Sequence, residues 1–174
     1  MDRDDTILDD PGYLSDPEGV VFLPGALEGL AAFHRAGWPL VVVSNQSGLG
    51  RGYFTLADLE AVHARFEDLL RVAGVTLAGL YFCPHAPSEP CDCRKPEPGL
   101  ALLASRELGL ELSQAVMVGD KESDLELGRR IGASYVAQIA AKGQASMPAD
   151  GCFSSLEELA QALLKEPTIK KSSG

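Results

Sequence analysis

Short apolar runs separated by longer amphipathic stretches dominate the pattern of this chain. Four valine-rich or aromatic runs have the pattern of strands buried on both faces. They cover residues 39–43, 80–83, 115–118 and 134–137. Apolar residues recur at helical spacing around them, which predicts helices over residues 25–36, 56–72, 99–108, 122–131 and 155–164.

Strands alternating with helices predict an α/β fold with a doubly wound, Rossmann-like parallel sheet and helices on both faces. A length of 174 residues suits one domain. We expect a single domain over residues 1–164 without a large cap domain, then a flexible polar tail over residues 165–174. The start departs from the pattern, because no apolar run precedes Asp2.

Composition narrows the class of protein. Hydrophobic residues make up 45% and charged residues 23%, the balance of a globular chain rather than a disordered one. The formal net charge of −10 argues against binding to nucleic acid, which needs clustered Lys and Arg. No run approaches the ~20 apolar residues of a membrane span, and no signal peptide pattern is present. We therefore expect a cytoplasmic monomer that binds neither nucleic acid nor a membrane.

Polar residues follow the predicted strands, and ligands bind at the carboxyl ends of parallel strands. Asp120 and Asp124 follow the third run, while Asp2 and Asp4 open the chain. Carboxylates that converge without a cation repel one another, and oxygen ligands of this kind suit Mg²⁺. The alternative for Asp120 is a helix N-cap before residues 122–131.

Ser44 and Lys95 also lie at predicted strand ends or in the loops beyond them. A serine hydroxyl can contact phosphate oxygens, and a lysine can neutralise the charge that spreads over them during phosphoryl transfer. Taken singly, each residue is better explained as a turn serine or a solvated lysine. Their combination with the acidic cluster favours a phosphoryl site.

A cluster of cysteines over residues 83–93 suggests a second metal. Cys83, His85, Cys91 and Cys93 form a Cys₃His set, an accepted composition for structural zinc, although the spacing is tighter than in zinc fingers. The alternative is three reduced cysteines in a polar loop, where free thiols would be a liability. Cys152 stands apart, and we expect it to be a buried small apolar residue.

These segments resemble the four motifs of haloacid dehalogenase superfamily phosphatases, in order. They are Asp2-Arg3-Asp4-x-Thr6, Ser44-Asn45-Gln46, Lys95 and Gly119-Asp120. The loop Cys-Pro-His…Cys-Asp-Cys-Arg-Lys-Pro is similar to that of the histidinol-phosphate and heptose-bisphosphate phosphatase branch. The resemblance covers residues 2–137.

The resemblance implies a role for each motif residue. Asp2 attacks phosphorus and forms an aspartyl-phosphate, while Asp4 protonates the leaving sugar oxygen and then activates water. Asp2, the backbone carbonyl of Asp4 and Asp120 hold Mg²⁺, while Ser44 and Lys95 stabilise the transferring phosphoryl group. Arg94 contacts a distal phosphate or another polar end of the substrate. The implied substrate-binding residues are Asp10, Pro11, Gly12, Tyr13, Asn45, Gln46, Ser47, Arg51, Arg94 and Lys121.

Two departures from the family pattern lead to further expectations. Relatives carry an apolar strand directly before the nucleophile. Either the true start lies upstream of Met1 or this chain lacks a core element, and for the chain as given we expect a gap in the sheet. We also expect low stability, and a charged α-amino group on Met1 that competes with Mg²⁺ for Asp2. Asp5 replaces a glycine, and a positive φ there would cost ~1 kcal/mol or more.

Three functions remain open at this point. The favoured one is hydrolysis of a small sugar bisphosphate, with a phosphorylated metabolite as the partner. The second is hydrolysis of histidinol phosphate or another small phosphomonoester by the same chemistry. The third is a catalytically impaired chain that folds around zinc and only binds a ligand or partner.

Overall fold

The paired strands β1 to β5 in the described part of the chain are all parallel, as the alternating pattern predicts. The computed structural model describes residues 1–143 and 147–165. Strand β1 (Val41–Asn45) pairs with β2 (Gly79–Cys83). A second sheet has the order β3 (Val116–Gly119), β4 (Tyr135–Ile139) and β5 (Gly151–Phe153). The four predicted strands are confirmed to within two residues, whereas β5 is too short to give a pattern.

The predicted helices are also present. They are α1 (Ala26–Arg35), α3 (Leu56–Val72), α4 (Gly99–Leu108), α5 (Glu122–Arg130) and α6 (Leu156–Lys165), and a short α2 (Ser47–Gly50) was not predicted. A capping box begins α3, where the Thr55 hydroxyl accepts from Asp58 N and the Asp58 carboxylate accepts from Thr55 N. Two short 3₁₀ helices cover Pro17–Gly19 and Leu112–Gln114.

Helices α1 and α6 pack closely against each other at one side of the main core. Leu30 and Phe33 of α1 and Leu159 of α6 are buried in this core. The approach is close because Gly29 has no side chain, and a Cβ there would overlap the backbone of Leu156. Other contacts tie α4 to β1 and β2, and α5 to β3 and β4. The helices therefore fix the positions of the strands whose ends carry the polar residues.

A gap separates β1 from β3, and within the described residues Met1 and Asp2 make backbone hydrogen bonds to the strands on both sides of it. Met1 N donates to Val41 O at 2.8 Å, Val43 N donates to Met1 O at 2.9 Å, and Asp2 N donates to Val118 O at 2.8 Å. Beside them lies a largely apolar cavity of about 330 Å³. Its walls include Phe33, Leu40, Val41, Val43, Val116 and Val118. This gap agrees with the expectation from the sequence.

Two expectations from the sequence are wrong. Cys152 is exposed, because it lies on β5, a strand that pairs with β4 alone among the described residues. The α-amino group of Met1 does not compete for Asp2, because it donates to Val41 O. Burial and the charge of Lys95 lower the pKa of this amino group to about 5, so it is neutral at pH 7.

Two further expectations concern membrane-spanning helices and the C-terminal tail. No helix in the described part of the chain is long and apolar enough to cross a membrane. The predicted flexible tail falls almost wholly on residues 166–174, which lie outside the described residues, while Lys165 is the last residue of α6.

Candidate active site

Four of the polar residues predicted for the site, Asp2, Asp4, Lys95 and Asp124, line a cavity of about 270 Å³, whereas Ser44 and Asp120 lie outside its lining. It lies beside the first residues of the chain and the carboxyl ends of β1 and β3. Four sequence-distant segments line it: the N-terminal loop, the end of β1 with the start of α2, the loop after β2, and the loop after β3 with the first turn of α5. The lining residues are Asp2, Asp4, Asp10, Gly12, Tyr13, Asn45, Ser47, Arg94, Lys95, Lys121, Ser123 and Asp124.

Lys95 is the buried cation at the centre of the site. Its Nζ lies 2.5 Å from Asp2 Oδ1 and 2.7 Å from Asp124 Oδ1, and it donates to Val43 O at 2.8 Å. Burial by itself would lower the pKa of Lys95, but the negative charges of Asp2 and Asp124 outweigh burial and raise that pKa. Lys95 therefore stays charged at neutral pH, as a solvated surface lysine does, but its ammonium group is fixed in place.

The backbone around Lys95 is held by Asn45. The amide of Asn45 accepts from Lys95 N at 2.9 Å and donates to Lys95 O at 3.2 Å. Asn45 is the last residue of β1, so this pair of bonds ties the lysine loop to the end of a strand. Asn45 therefore aligns Lys95 in addition to lining the cavity.

Asp4 is held by hydrogen bonds to both carboxylate oxygens. Arg3 Nε donates to Asp4 Oδ1 at 2.7 Å, and Gln46 Nε2 donates to Asp4 Oδ2 at 2.8 Å. Burial raises the pKa of Asp4, against the opposing charge of Arg3. A carboxyl group with a raised pKa is suited to carry a proton during a reaction.

Asp120 and Asp124 complete an acidic group with Asp2. Oxygens of the three carboxylates all lie within 4.8 Å of one another. Burial raises the pKa of Asp120 to about 7, and the charges of Asp2 and Asp124 act in the same direction. Oδ1 of Asp120 is buried and has no hydrogen-bond partner in the part of the chain that the structure describes. An unpartnered carboxylate oxygen among acidic neighbours fits a divalent cation with oxygen ligands.

The loop after β3 does not use Asp120 as a helix cap. Lys121 is the N-cap residue of α5, and its N–H donates to Asp124 Oδ2 at 3.0 Å. Gly119 lets Asp124 fold back against the strand, since a Cβ at Gly119 would overlap the Asp124 side chain. Asp124 thus supports the helix start with one oxygen and Lys95 with the other.

The loop over residues 10–14 forms one wall of the cavity. Asp10 Oδ1 accepts from Gly12 N at 3.0 Å and from Leu14 N at 3.1 Å, which folds the loop on itself. Tyr13 has a φ of 62°, and its ring meets that of Tyr53 edge-on at a centroid distance of 4.8 Å. Asp5 has a φ of 57°, the positive value at which a non-glycine residue is strained.

Not all of the predicted substrate-binding residues reach the cavity. Seven of them line it, but Pro11, Gln46 and Arg51 do not. Arg94 lies at the wall, where Nη1 is 3.4 Å from His85 O. Sequence reasoning missed the roles of Arg3 and Tyr53 and left that of Asp124 open. For Arg3, the sequence offered one signal: the residue lies between Asp2 and Asp4, and a buried charge needs a partner.

The predicted zinc ligands come together in space. The sulfur atoms of Cys83 and Cys91 are 3.7 Å apart, and those of Cys83 and Cys93 are 3.2 Å apart. His85 Nδ1 lies 3.5 Å from Cys83 Sγ and 3.2 Å from Cys93 Sγ. Tetrahedral zinc with Zn–S bonds of ~2.3 Å would hold its ligand atoms about 3.5–3.8 Å apart. The cluster is therefore compatible with zinc, and Lys95 follows it by two residues.

Comparisons with known proteins agree with this geometry. A family model described as HAD-hydrolase-like matches residues 92–143. The chain is 38% identical to a D-glycero-β-D-manno-heptose-1,7-bisphosphate 7-phosphatase of Pseudomonas putida over 148 residues, which cover 84% of this chain and 85% of that protein. A Helicobacter pylori protein of the same name is 45% identical over 129 residues, 74% of this chain and 75% of that protein.

A solved structure gives the same result. The D,D-heptose 1,7-bisphosphate phosphatase from B. bronchiseptica, complexed with magnesium and phosphate, is 30% identical, with a TM-score of 0.85. The match covers 95% of this chain and 97% of that one. The chain therefore belongs to the family of HAD-like phosphatases that includes the curated D-glycero-β-D-manno-heptose-1,7-bisphosphate 7-phosphatases.

Proposed function

We propose that this phosphatase removes the 7-phosphate of D-glycero-D-manno-heptose 1,7-bisphosphate through an aspartyl-phosphate intermediate. The similarity to named heptose-bisphosphate phosphatases supports the substrate. The observation that carries the chemistry is the convergence of Asp2, Asp4 and Lys95 on one cavity. The cavity volume of about 270 Å³ suits a small phosphorylated sugar rather than a macromolecule.

In the proposed first step, a carboxylate oxygen of Asp2 bonds to phosphorus. The bond between phosphorus and the sugar oxygen breaks, and Asp4 gives its proton to that oxygen. Asp4 is suited to this role because burial raises its pKa. In the second step, water attacks phosphorus and gives a proton to Asp4, and the bond to Asp2 breaks to release phosphate.

Lys95 and Ser44 would stabilise the phosphoryl group during both steps. Lys95 presents a fixed positive charge 2.5 Å from Asp2, next to the place where negative charge spreads over the phosphoryl oxygens. Ser44 is fully buried at the end of β1 and can supply a hydroxyl hydrogen. Lys95 already lines the cavity, so it needs little movement when substrate binds, whereas Ser44 lies behind the lining.

We propose two metal sites. Asp2 and Asp120, with the backbone carbonyl of Asp4, would hold Mg²⁺, and Asp124 lies close enough to assist. When bound, the ion would neutralise charge on the phosphoryl group. Cys83, His85, Cys91 and Cys93 would hold a structural zinc, since four ligands leave no open position for water. We also propose that the protein is a cytoplasmic monomer and that its strands form a doubly wound sheet.

Seven predicted residues of the cavity wall are proposed substrate contacts. Arg94 is proposed to bind the distal phosphate, because a guanidinium can hold phosphate with two hydrogen bonds. Asp10 and Asn45 can bind sugar hydroxyls, and the exposed ring of Tyr13 can pack against an apolar face of the sugar. The other proposed contacts are Gly12, Ser47 and Lys121.

A substrate panel with Mg²⁺ tests the proposal. We expect kcat/KM for the heptose 1,7-bisphosphate to exceed that for histidinol phosphate by at least a hundredfold, and phosphate to be released from position 7 alone. A preference for histidinol phosphate would support the second candidate function. An absence of turnover on every phosphate ester, with Mg²⁺ and zinc present, would leave only the ligand-binding function.

A further inference from the structure

The side chain of Gln46 joins two groups of the proposed reaction without reaching the cavity. Its Nε2 lies 2.8 Å from Asp4 Oδ2 and 2.7 Å from Ser44 Oγ. Only 4% of the residue is exposed, and it is absent from the cavity wall. Gln46 is therefore placed to act on these two side chains and not on a substrate.

The two hydrogens of the Gln46 amide account for both contacts. A primary amide nitrogen carries two N–H donors, so one can point to Asp4 and the other to Ser44. Because Ser44 Oγ accepts from Gln46, its own hydrogen is left to point elsewhere, such as toward a phosphoryl oxygen. The amide thus sets the direction of the serine hydroxyl as well as the position of the carboxyl group.

Gln46 forms one half of a clamp on Asp4. Arg3, which is fully buried, donates to Asp4 Oδ1, while Gln46 donates to Oδ2. With a donor on each oxygen, rotation of the carboxyl plane would break at least one bond. The clamp is anchored in the sheet, because Gln46 N donates to Cys83 O at the end of β2 at 2.8 Å. With Arg3 as the one donor, Asp4 Oδ2 would be unbound and the carboxyl group could rotate.

We propose that Gln46 is a positioning residue that holds Asp4 in the orientation required for proton transfer to the leaving sugar oxygen. This inference rests on the proposed function, in which Asp4 is the general acid. A general acid must lie within hydrogen-bond reach of the oxygen it protonates, and a misplacement of about 1 Å can cost roughly a hundredfold in rate. The role differs from the substrate contact expected from the sequence.

The dependence on the leaving group separates positioning of Asp4 from a general structural role. An alkyl alcohol leaves poorly without a proton, whereas p-nitrophenolate leaves without one. In Gln46→Met, which keeps the length of the side chain but removes both donors, we expect kcat/KM for fructose 1,6-bisphosphate to fall roughly 10–100-fold. For p-nitrophenyl phosphate, the fall should be about 5-fold at most. The control Gln161→Met, on the exposed face of α6, should match the parent on both substrates.

A second variant and a structural measurement complete the test. Gln46→Asn keeps the amide but shortens its reach by one methylene group, and should show the same selective loss if Gln46→Met does not fold. Equal losses on both substrates, or no loss, would overturn the proposal. A crystal structure of the variant is independent of activity: Asp4 turned away from its parent orientation supports the clamp, and Asp4 unmoved overturns it. If the parent hydrolyses neither of these substrates nor the heptose 1,7-bisphosphate, the proposed function fails, and this structure still decides the clamp.

Discussion

Lys95 Nζ lies 2.5 Å from Oδ1 of Asp2, although 93 positions separate the two residues in the chain. Both are almost fully buried, so the contact brings opposite charges together where water cannot screen them. Asp124 contacts the same ammonium group from another side. Because of Asp124, Lys95 keeps a carboxylate partner whether or not Asp2 carries a phosphoryl group.

Asp2→Asn should abolish turnover while leaving the stability of the fold nearly unchanged. The amide is a poor nucleophile, so the loss should reach several powers of ten in kcat. Stability should change little because the amide oxygen can still accept from Lys95, which also keeps Asp124. Steady-state kinetics and thermal unfolding measure both effects, with Asp68→Asn on the exposed face of α3 as the control. Activity within tenfold of the parent would contradict the role of Asp2.

Each chain should carry about one zinc ion, bound by the cluster over residues 83–93. Elemental analysis should show that Cys93→Ser loses the metal, whereas Cys152→Ser, at an exposed position on β5, retains it. Zinc loss should raise KM more than it lowers the melting temperature, because Arg94 and Lys95 directly follow the cluster and the main core lies elsewhere. A preparation from zinc-containing medium with no bound zinc would contradict the site.

Arg94→Ala should weaken binding of a bisphosphate but not of a simple monophosphate. A lost charged hydrogen bond costs about 1.5–3 kcal/mol, which corresponds to a rise in KM of roughly tenfold or more. For p-nitrophenyl phosphate, KM should stay within about twofold, since no distal phosphate is present. Arg106→Ala, at an exposed position on α4, is the control. Equal effects on the two substrates would mean that Arg94 does not read the distal group.

Without Mg²⁺, the free energy of unfolding should fall as pH rises from about 4 to 7. Burial raises the pKa of Asp120 from 3.8 to about 7 in the folded protein, so the folded state holds a proton over this window that the unfolded state has released. Because Mg²⁺ binds the ionised carboxylate, it should stabilise the zinc-bound protein more at pH 8 than at pH 5.

Thermal unfolding at both pH values, with and without Mg²⁺, measures this difference. Asp120→Asn cannot ionise at this position, so it should reduce both the pH dependence and the effect of Mg²⁺. An equal stabilisation by Mg²⁺ at pH 5 and pH 8 would show that Asp120 does not control metal binding.

Filling the gap between β1 and β3 should stabilise the protein and raise its activity. Five apolar residues added before Met1 can enter the cavity of about 330 Å³ and extend the pairing that Met1 and Asp2 begin with β1 and β3. Each kcal/mol gained should raise the melting temperature by roughly 2–4 °C. An extension of five glycine and serine residues is the control, because it adds backbone without apolar side chains. Equal melting temperatures and rates for the parent and both extended forms would contradict this account of the gap.

The sequence by itself determined the local elements and the chemistry of the site. Buried parallel strands are continuous apolar runs and helices repeat every 3.6 residues, so β1 to β4 and the long helices are readable without contacts. Once the strands are located, the polar residues that follow them, such as Asp120 after β3, can be identified as candidate site residues. Strand β5 was not predicted, because three residues are too few to show a hydrophobic period.

Only the tertiary structure decided which side chains meet. Gln46 was expected at the substrate, yet packing turns its amide to Asp4, and Asp124 reaches Lys95 from the first turn of α5, which is distant in sequence. Cys152 was expected to be buried, but it lies on a short strand at the edge of the described sheet. Such contacts join residues tens of positions apart, and their geometry depends on how helices and strands pack. A local pattern specifies an element, but it contains no information on the direction of a side chain relative to another element.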